Sequence, residues 1–186
     1  MYDADIRQLL RTHTIKDAVE CPDTLVIDEF CIAENFARAD IATLHAQCWQ
    51  GYEIKGARDS FKRLPRQVIA YGWVFDHCHL VVEPRHVAKA RAAVPAWWGL
   101  LVATPEGIAC EREAQLNPDR RGYYIARTMW REEIQDAVFA LTQDKRVRRK
   151  NRADLSRQLM NTQHPDTIRE IATKALSSRE FWRKAS

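Results

Sequence analysis

The chain has 186 residues, 46% hydrophobic and 29% charged, a globular composition that excludes wholesale disorder. The formal net charge of +4 is too mild for a histone-like binder, but it is segregated: residues 1–116 hold 13 Lys/Arg against 16 Asp/Glu, and residues 117–186 hold 16 against 9. The longest apolar run, residues 92–103, is interrupted by Pro95 and falls short of the roughly 20 residues a membrane span needs. The acidic start Met1-Tyr2-Asp3-Ala4-Asp5 has no apolar signal core, and five cysteines without CxxC spacing fit reduced thiols, so a cytoplasmic protein with no membrane partner is expected.

Taken in chain order, residues 3–11 place Ile6, Leu9 and Leu10 on one face and predict a short amphipathic helix. Thr24–Cys31 is apolar and β-branched and predicts a strand. Ala37–His45 and Tyr52–Ala57 predict two further strands, joined as a hairpin by residues 46–51, which close with Gly51. Asp59–Trp73 reads as a helix with an apolar stripe of Phe61, Leu64, Val68 and Tyr71. Pro65 is tolerated only in a first turn, so the regular helix should begin near Leu64. Cys78–Glu83, Gly99–Thr104 and Ile108–Glu113 predict strands, with a helix over Pro84–Val94; strand–helix–strand from Cys78 to Thr104 implies a parallel pair. Beyond Leu116 the pattern turns helical: Tyr124–Leu141, residues 153–162 and residues 166–183 predict helices, with the basic run Lys145–Arg152 between the first two. The expected fold is α/β, a mixed sheet flanked by helices over residues 1–116, followed by a basic helical extension over residues 117–186.

Two carboxylates stand out by their company. Residues two apart on a strand share a face, so Glu53 and Lys55 emerge side by side, and a hairpin would bring Asp40 near them. Two carboxylates and an ammonium suit Mg²⁺, which takes oxygen ligands and commonly only one or two protein carboxylates. A Glu-x-Lys pair by itself equally describes a solvated pair on an exposed strand. Gln67 and Tyr71, four apart on the following helix, share a face there. The cations Arg58, Lys62, Arg63 and Arg66 precede or flank them and would accept a phosphate backbone.

Asp40, Glu53-Ile54-Lys55 and Gln67-x-x-x-Tyr71 on a strand–strand–helix layout resemble the PD-(D/E)XK nuclease superfamily, and the Gln-x-x-x-Tyr resembles its RecB-type branch. The wider stretch GYEIKGARDSFKRLPRQVIAYGWVFDHCHLVV resembles small stand-alone bacterial members, some carried on mobile elements. The likeness is strongest over residues 25–103 and weaker through Met129-Trp130-Arg131-Glu132-Glu133 and Arg179-x-x-Trp182-Arg183.

The resemblance implies a restriction-endonuclease-like fold and Mg²⁺- or Mn²⁺-dependent hydrolysis of nucleic acid, DNA in the first instance. It implies Asp40 and Glu53 as metal ligands, Lys55 as the catalytic lysine, and Gln67 and Tyr71 as positioning groups. The earlier acidic ligand of the pattern falls on Glu29, with Glu34 second. Stand-alone nucleases of this size are often homodimers. The rival reading is a non-catalytic nucleic-acid-binding or interaction protein that keeps the fold.

Elsewhere the ordinary reading is preferred. His77 and His79 have no second ligand pair for zinc, Trp97-Trp98 reads as core packing, and the cysteines read as small apolar residues. Arg148, Arg149 and Lys150, in a run where six of eight residues are Lys or Arg, are assigned to phosphate contact.

Overall fold

The structure, a computed structural model, describes residues 1–179. Six strands form one sheet in sequence order: β1 (Leu25–Ile32), β2 (Ala37–His45), β3 (Cys48–Lys55), β4 (His77–Val82), β5 (Gly99–Thr104) and β6 (Gly107–Arg112). The first three are an antiparallel meander, β3 to β5 run parallel, and β6 returns antiparallel on β5. Parallel neighbours need crossovers. Helix α3 (Leu64–Val74) connects β3 to β4, and α4 (Val87–Ala93) connects β4 to β5. The chain is therefore α/β, a mixed sheet flanked by helices with further helices at its C-terminal end.

The sheet is covered on both faces. On one, Ile6, Leu10 and Ile15 of an N-terminal segment pack on Ile41, Tyr52, Ile54, Val81 and Leu101. That segment comprises α1 (Asp3–Leu9), a π-helical turn over Leu10–Thr14 and α2 (Lys16–Glu20). Burying each such apolar side chain stabilises by roughly 1.5–3 kcal/mol, enough to hold a short helix that would not persist alone. On the other face, Phe30, Ala42, Leu44 and Trp49 pack with Tyr71 and Val74 of α3 and with α5 (Gly122–Ala126), α6 (Arg131–Thr142), α7 (Arg152–Thr162) and α8 (Pro165–Ser177). The hydrophobic core runs without a break across residue 116. Buried Asp76 reinforces this union: it accepts hydrogen bonds from the Trp49 amide at 2.6 Å and Arg169 Nη1 at 2.8 Å, and from Arg120.

Several boundaries differ from the sequence expectation for identifiable reasons. β3 starts at Cys48, four residues early, so the hairpin turn contracts to Ala46-Gln47. Gly51 lies inside the strand because the Phe75 ring occupies the side-chain space: a Cβ there would sit 2.4 Å from the ring. The single helix expected over Tyr124–Leu141 is two. Thr128 Oγ1 donates to the Ile125 carbonyl at 2.7 Å where α5 ends, and the Trp130 amide donates to Glu133 at 2.6 Å where α6 starts. The helix expected over 166–183 ends at Ser177, and its last four positions lie outside the described residues. Cys31 and Cys110 are exposed, so they are not interior apolar residues.

Candidate active site

The site sits where β2 and β3 part. Their ladder ends at Ile41–Tyr52. Beyond it, the Asp40 carboxylate takes over as acceptor, with Oδ2 receiving the Ile54 N–H at 2.7 Å. Across on β1, Glu29 has φ 53°, and the regular β1–β2 pairing skips Glu29 and Asp40. Ile27 and Phe30, three apart, consequently both face the core. The meander thus splays around Asp40, and β3, held on its other side by β4 through Lys55–Val82, keeps its course.

Glu53 and Lys55 emerge on the same face, as the strand period requires, and form a buried ion pair. Tyr71, fully buried on α3, donates its hydroxyl to Glu53 Oε2 at 2.8 Å and lies 3.1 Å from the Tyr52 carbonyl. Gln67, one turn earlier, accepts from Lys55 Nζ at 3.4 Å. Pro65 in the first turn of α3 fixes where this face begins. Of the five residues singled out from the sequence, Glu53, Lys55, Gln67 and Tyr71 form one hydrogen-bonded cluster, and Asp40 joins it through the Ile54 amide that lies between Glu53 and Lys55. All but Tyr71 line a cleft of about 530 Å³.

Electrostatics there are costly. Burial and the charge of Glu53 push the Asp40 carboxyl up to about 7, against the opposing pull of the Ile54 amide, Arg7 and Lys55. Burial raises Glu53 as well, although Lys55 pulls it down, and burial with the neighbouring carboxylates raises the Tyr71 hydroxyl. The site crowds two buried carboxylates that Lys55 and Arg7 offset only in part.

Glu29 lines the same cleft, but its carboxylate is 48% exposed and pairs with Arg7 at 2.8 Å and Arg38 at 3.7 Å. Of the expected phosphate-contacting cations, Arg63 and Arg66 line the cleft, with Arg66 stacked on Phe36 at 4.2 Å. Lys62 is exposed on the turn before α3, and Arg58 lies over the Tyr2 ring. Arg148 and Arg149 end a 3₁₀ turn, with Lys150 directly after it, that packs on α6, where Arg131 holds the Arg148 carbonyl at 2.9 Å. They are not among the residues that line this cleft.

Arg7 was not legible from the sequence. Its guanidinium pairs with Asp3 at 2.5 Å, Glu29 at 2.8 Å and Asp40 Oδ1 at 3.5 Å, and it bonds the Asp40 carbonyl. Only its i, i+4 spacing from Asp3 is a local signal. Its reach into the cleft depends on how α1 docks.

The donor set decides which cation would fit. Among the described residues no three His, Cys, Asp or Glu side chains are grouped to surround an ion, so Glu29, which pairs with Arg7 and Arg38, is not gathered with Asp40 and Glu53 as the resemblance implies, and no tetrahedral zinc set is formed. Two carboxylates that repel each other beside an open cleft do suit a hard divalent ion that keeps most of its water.

The fold and cleft define an α/β protein with a clustered Asp/Glu/Lys site at the parting of two strands. Residues 2–186 match the family model for bacteriophage P4 protein cII, and the chain belongs to that family. No curated protein matches it. Among solved structures, a protein of unknown function from Silicibacter pomeroyi is similar at 23% identity and a TM-score of 0.43, over 71% of this chain and 82% of that one.

Proposed function

We propose that the protein is a metal-dependent nuclease of the PD-(D/E)XK type that hydrolyses phosphodiester bonds, with DNA as substrate. The observation that carries this reading is the convergence of five residues from three elements: Glu53, Lys55, Gln67 and Tyr71 in one hydrogen-bonded cluster, with Asp40 beside it on the Ile54 amide, all but Tyr71 lining an open cleft. The meander–helix–parallel-strand order also agrees with the layout on which the resemblance rests.

Asp40 and Glu53 would hold Mg²⁺ or Mn²⁺. Such an ion supplies an activated water and neutralises charge on the phosphoryl oxygens. The protein's own residues do the rest. Tyr71 fixes the Glu53 rotamer, and the Ile54 amide fixes that of Asp40. Lys55, tethered by Glu53 and Gln67, presents an ammonium where it can orient the attacking water or stabilise developing negative charge. Arg63 and Arg66 at the cleft wall receive flanking phosphates. Arg7 partly neutralises the acidic groups in the metal-free protein.

One observation favours a second reading, a non-catalytic nucleic-acid-binding protein: Glu53 and Lys55 are buried and already paired with each other. A substrate panel separates the two. Linear, circular, single- and double-stranded DNA and RNA are incubated with Mg²⁺, Mn²⁺ or EDTA, with Asp40→Ala alongside. Cleavage that needs the cation and Asp40 supports the nuclease. Binding without cleavage by the folded wild type supports the alternative.

A further inference from the structure

A second cleft, of about 380 Å³, adjoins the first and shares Glu29 and Asn35 with it. Three arginines from separate parts of the helical region line it: Arg127 after α5, Arg152 at the start of α7 and Arg179 after α8. Their side chains are only 11%, 29% and 5% exposed, which is costly for guanidinium groups unless an anion meets them. Arg179 is matched by Glu133 at 2.8 Å. Among the described residues, Arg127 and Arg152 both meet the carboxylate of Glu34, which pairs with Arg127 and lies 3.3 Å from Arg152 Nη1. Arg152 Nε is buried and makes no hydrogen bond. Burial, then Arg127 and Arg179, lower the Arg152 pKa, against the opposing pull of Glu34 and Glu133.

The carboxylate that fills the corner comes from a strained turn. Ala33, Glu34 and Asn35 stand at φ 49°, 57° and 69°, three consecutive non-glycine residues in the left-handed region. They close the hairpin between β1 and β2, where Ile32 pairs with Ala37 and the Phe36 amide donates to the Ala33 carbonyl at 3.1 Å. The other acids lining the cleft are already engaged: Asp28 pairs with Arg11 at 2.9 Å, and Glu29 pairs with Arg7 at 2.8 Å.

We propose that Arg127 and Arg152 form a phosphate-binding site that Glu34 fills in the absence of ligand and leaves when a nucleic acid enters the neighbouring cleft. The inference rests on the nucleic-acid reading of the Asp40 cleft and adds a second contact point beside it. A carboxylate bridging two guanidinium groups occupies the place a phosphate takes in a charge-assisted pair. A strand running from Asp40 past Asn35 would set a phosphate there. The ligand is a backbone phosphodiester or a terminal phosphate, and a terminal dianion would neutralise both Arg127 and Arg152 once Glu34 has moved away.

The test is fluorescence anisotropy of labelled DNA in EDTA, where no cleavage occurs, using oligonucleotides with and without a terminal phosphate. Removing a built-in competitor raises apparent affinity by the fraction of sites it had closed, so Glu34→Gln should bind roughly three- to tenfold tighter than wild type. A misfolded variant cannot produce that gain. Arg152→Gln should bind roughly fivefold or more weakly, with a salt dependence shallower by about one counterion. A preference for the phosphorylated end identifies a terminal phosphate, and its absence a backbone one. If wild type cuts DNA while Glu34→Gln binds it no more tightly, the phosphate site is overturned and the Asp40 reading stands. If no DNA binds, but inorganic phosphate raises the melting temperature of Glu34→Gln more than that of wild type or Arg152→Gln, the anion site stands and the nucleic-acid reading falls.

Discussion

Asp40→Asn should make the metal-free protein more stable, and the gain should depend on pH. In the folded chain the Asp40 carboxyl is raised from 3.8 to about 7, first by burial and then by Glu53. A raised acid binds its proton more tightly in the folded state. Its contribution to stability is therefore complete below the unfolded pKa and is lost as pH climbs to the folded one. The rise of about three units corresponds to at most about 4 kcal/mol, and water penetration and relaxation reduce it. Asn keeps an oxygen that can accept the Ile54 N–H, so the substitution removes the ionisation cost and, beside it, the charge pairing with Arg7 at 3.5 Å. Its advantage over wild type should be about 2 kcal/mol larger at about pH 8 than at about pH 5. In a chain of this size each kcal/mol moves Tm by about 2–4 °C. Thermal melts of both proteins in EDTA across this range measure the difference directly. An advantage that is equal at both pH values, or a less stable Asn variant at the higher pH, would refute the account of crowded carboxylates.

Three further outcomes follow from the same geometry. Lys55→Met should cost about 3–5 kcal/mol at neutral pH, because it strands the buried Glu53 carboxylate, and Glu53→Gln in the same chain should recover part of it; denaturant titration of the single and double variants reads this coupling. Arg7→Gln should tighten Mn²⁺ binding severalfold in calorimetry, since a guanidinium that pairs with Asp40 and Glu29 competes with a cation for the same charge. Asp76→Asn should lower stability by about 3–5 kcal/mol by leaving Arg169 without a charged partner on the strand side, seen as a lower denaturation midpoint, while cation binding at Asp40 is unchanged.

Much of the site was readable because it obeys short-range periods. Glu53 and Lys55 share a face by the strand's period of two, and Gln67 and Tyr71 share one by the helix's i, i+4 spacing. The strand Ala37–His45 and the helix start at Leu64 emerged with their observed bounds for the same reason. What the sequence hid depends on packing between distant segments. Gly51 looks like a turn residue until Phe75 is seen against it. Arg7 reaches Asp40 only because Ile6 and Leu10 dock α1 on the sheet. Arg152 meets Glu34 across 118 residues, which no local pattern encodes. The helical region, expected as an extension, shares the sheet's core because Leu155, Ile168 and Leu176 face the same interior as Phe30 and Trp49.

The most direct test of the central claim is single-turnover cleavage of labelled DNA by wild type and Asp40→Asn, in Mg²⁺ and in EDTA, with the melting temperature of each sample recorded alongside. The account predicts cation-dependent cleavage by wild type and none by a variant that is at least as stable. Cleavage by Asp40→Asn at the wild-type rate, or a folded wild type that cuts no nucleic acid with either Mg²⁺ or Mn²⁺, would contradict it.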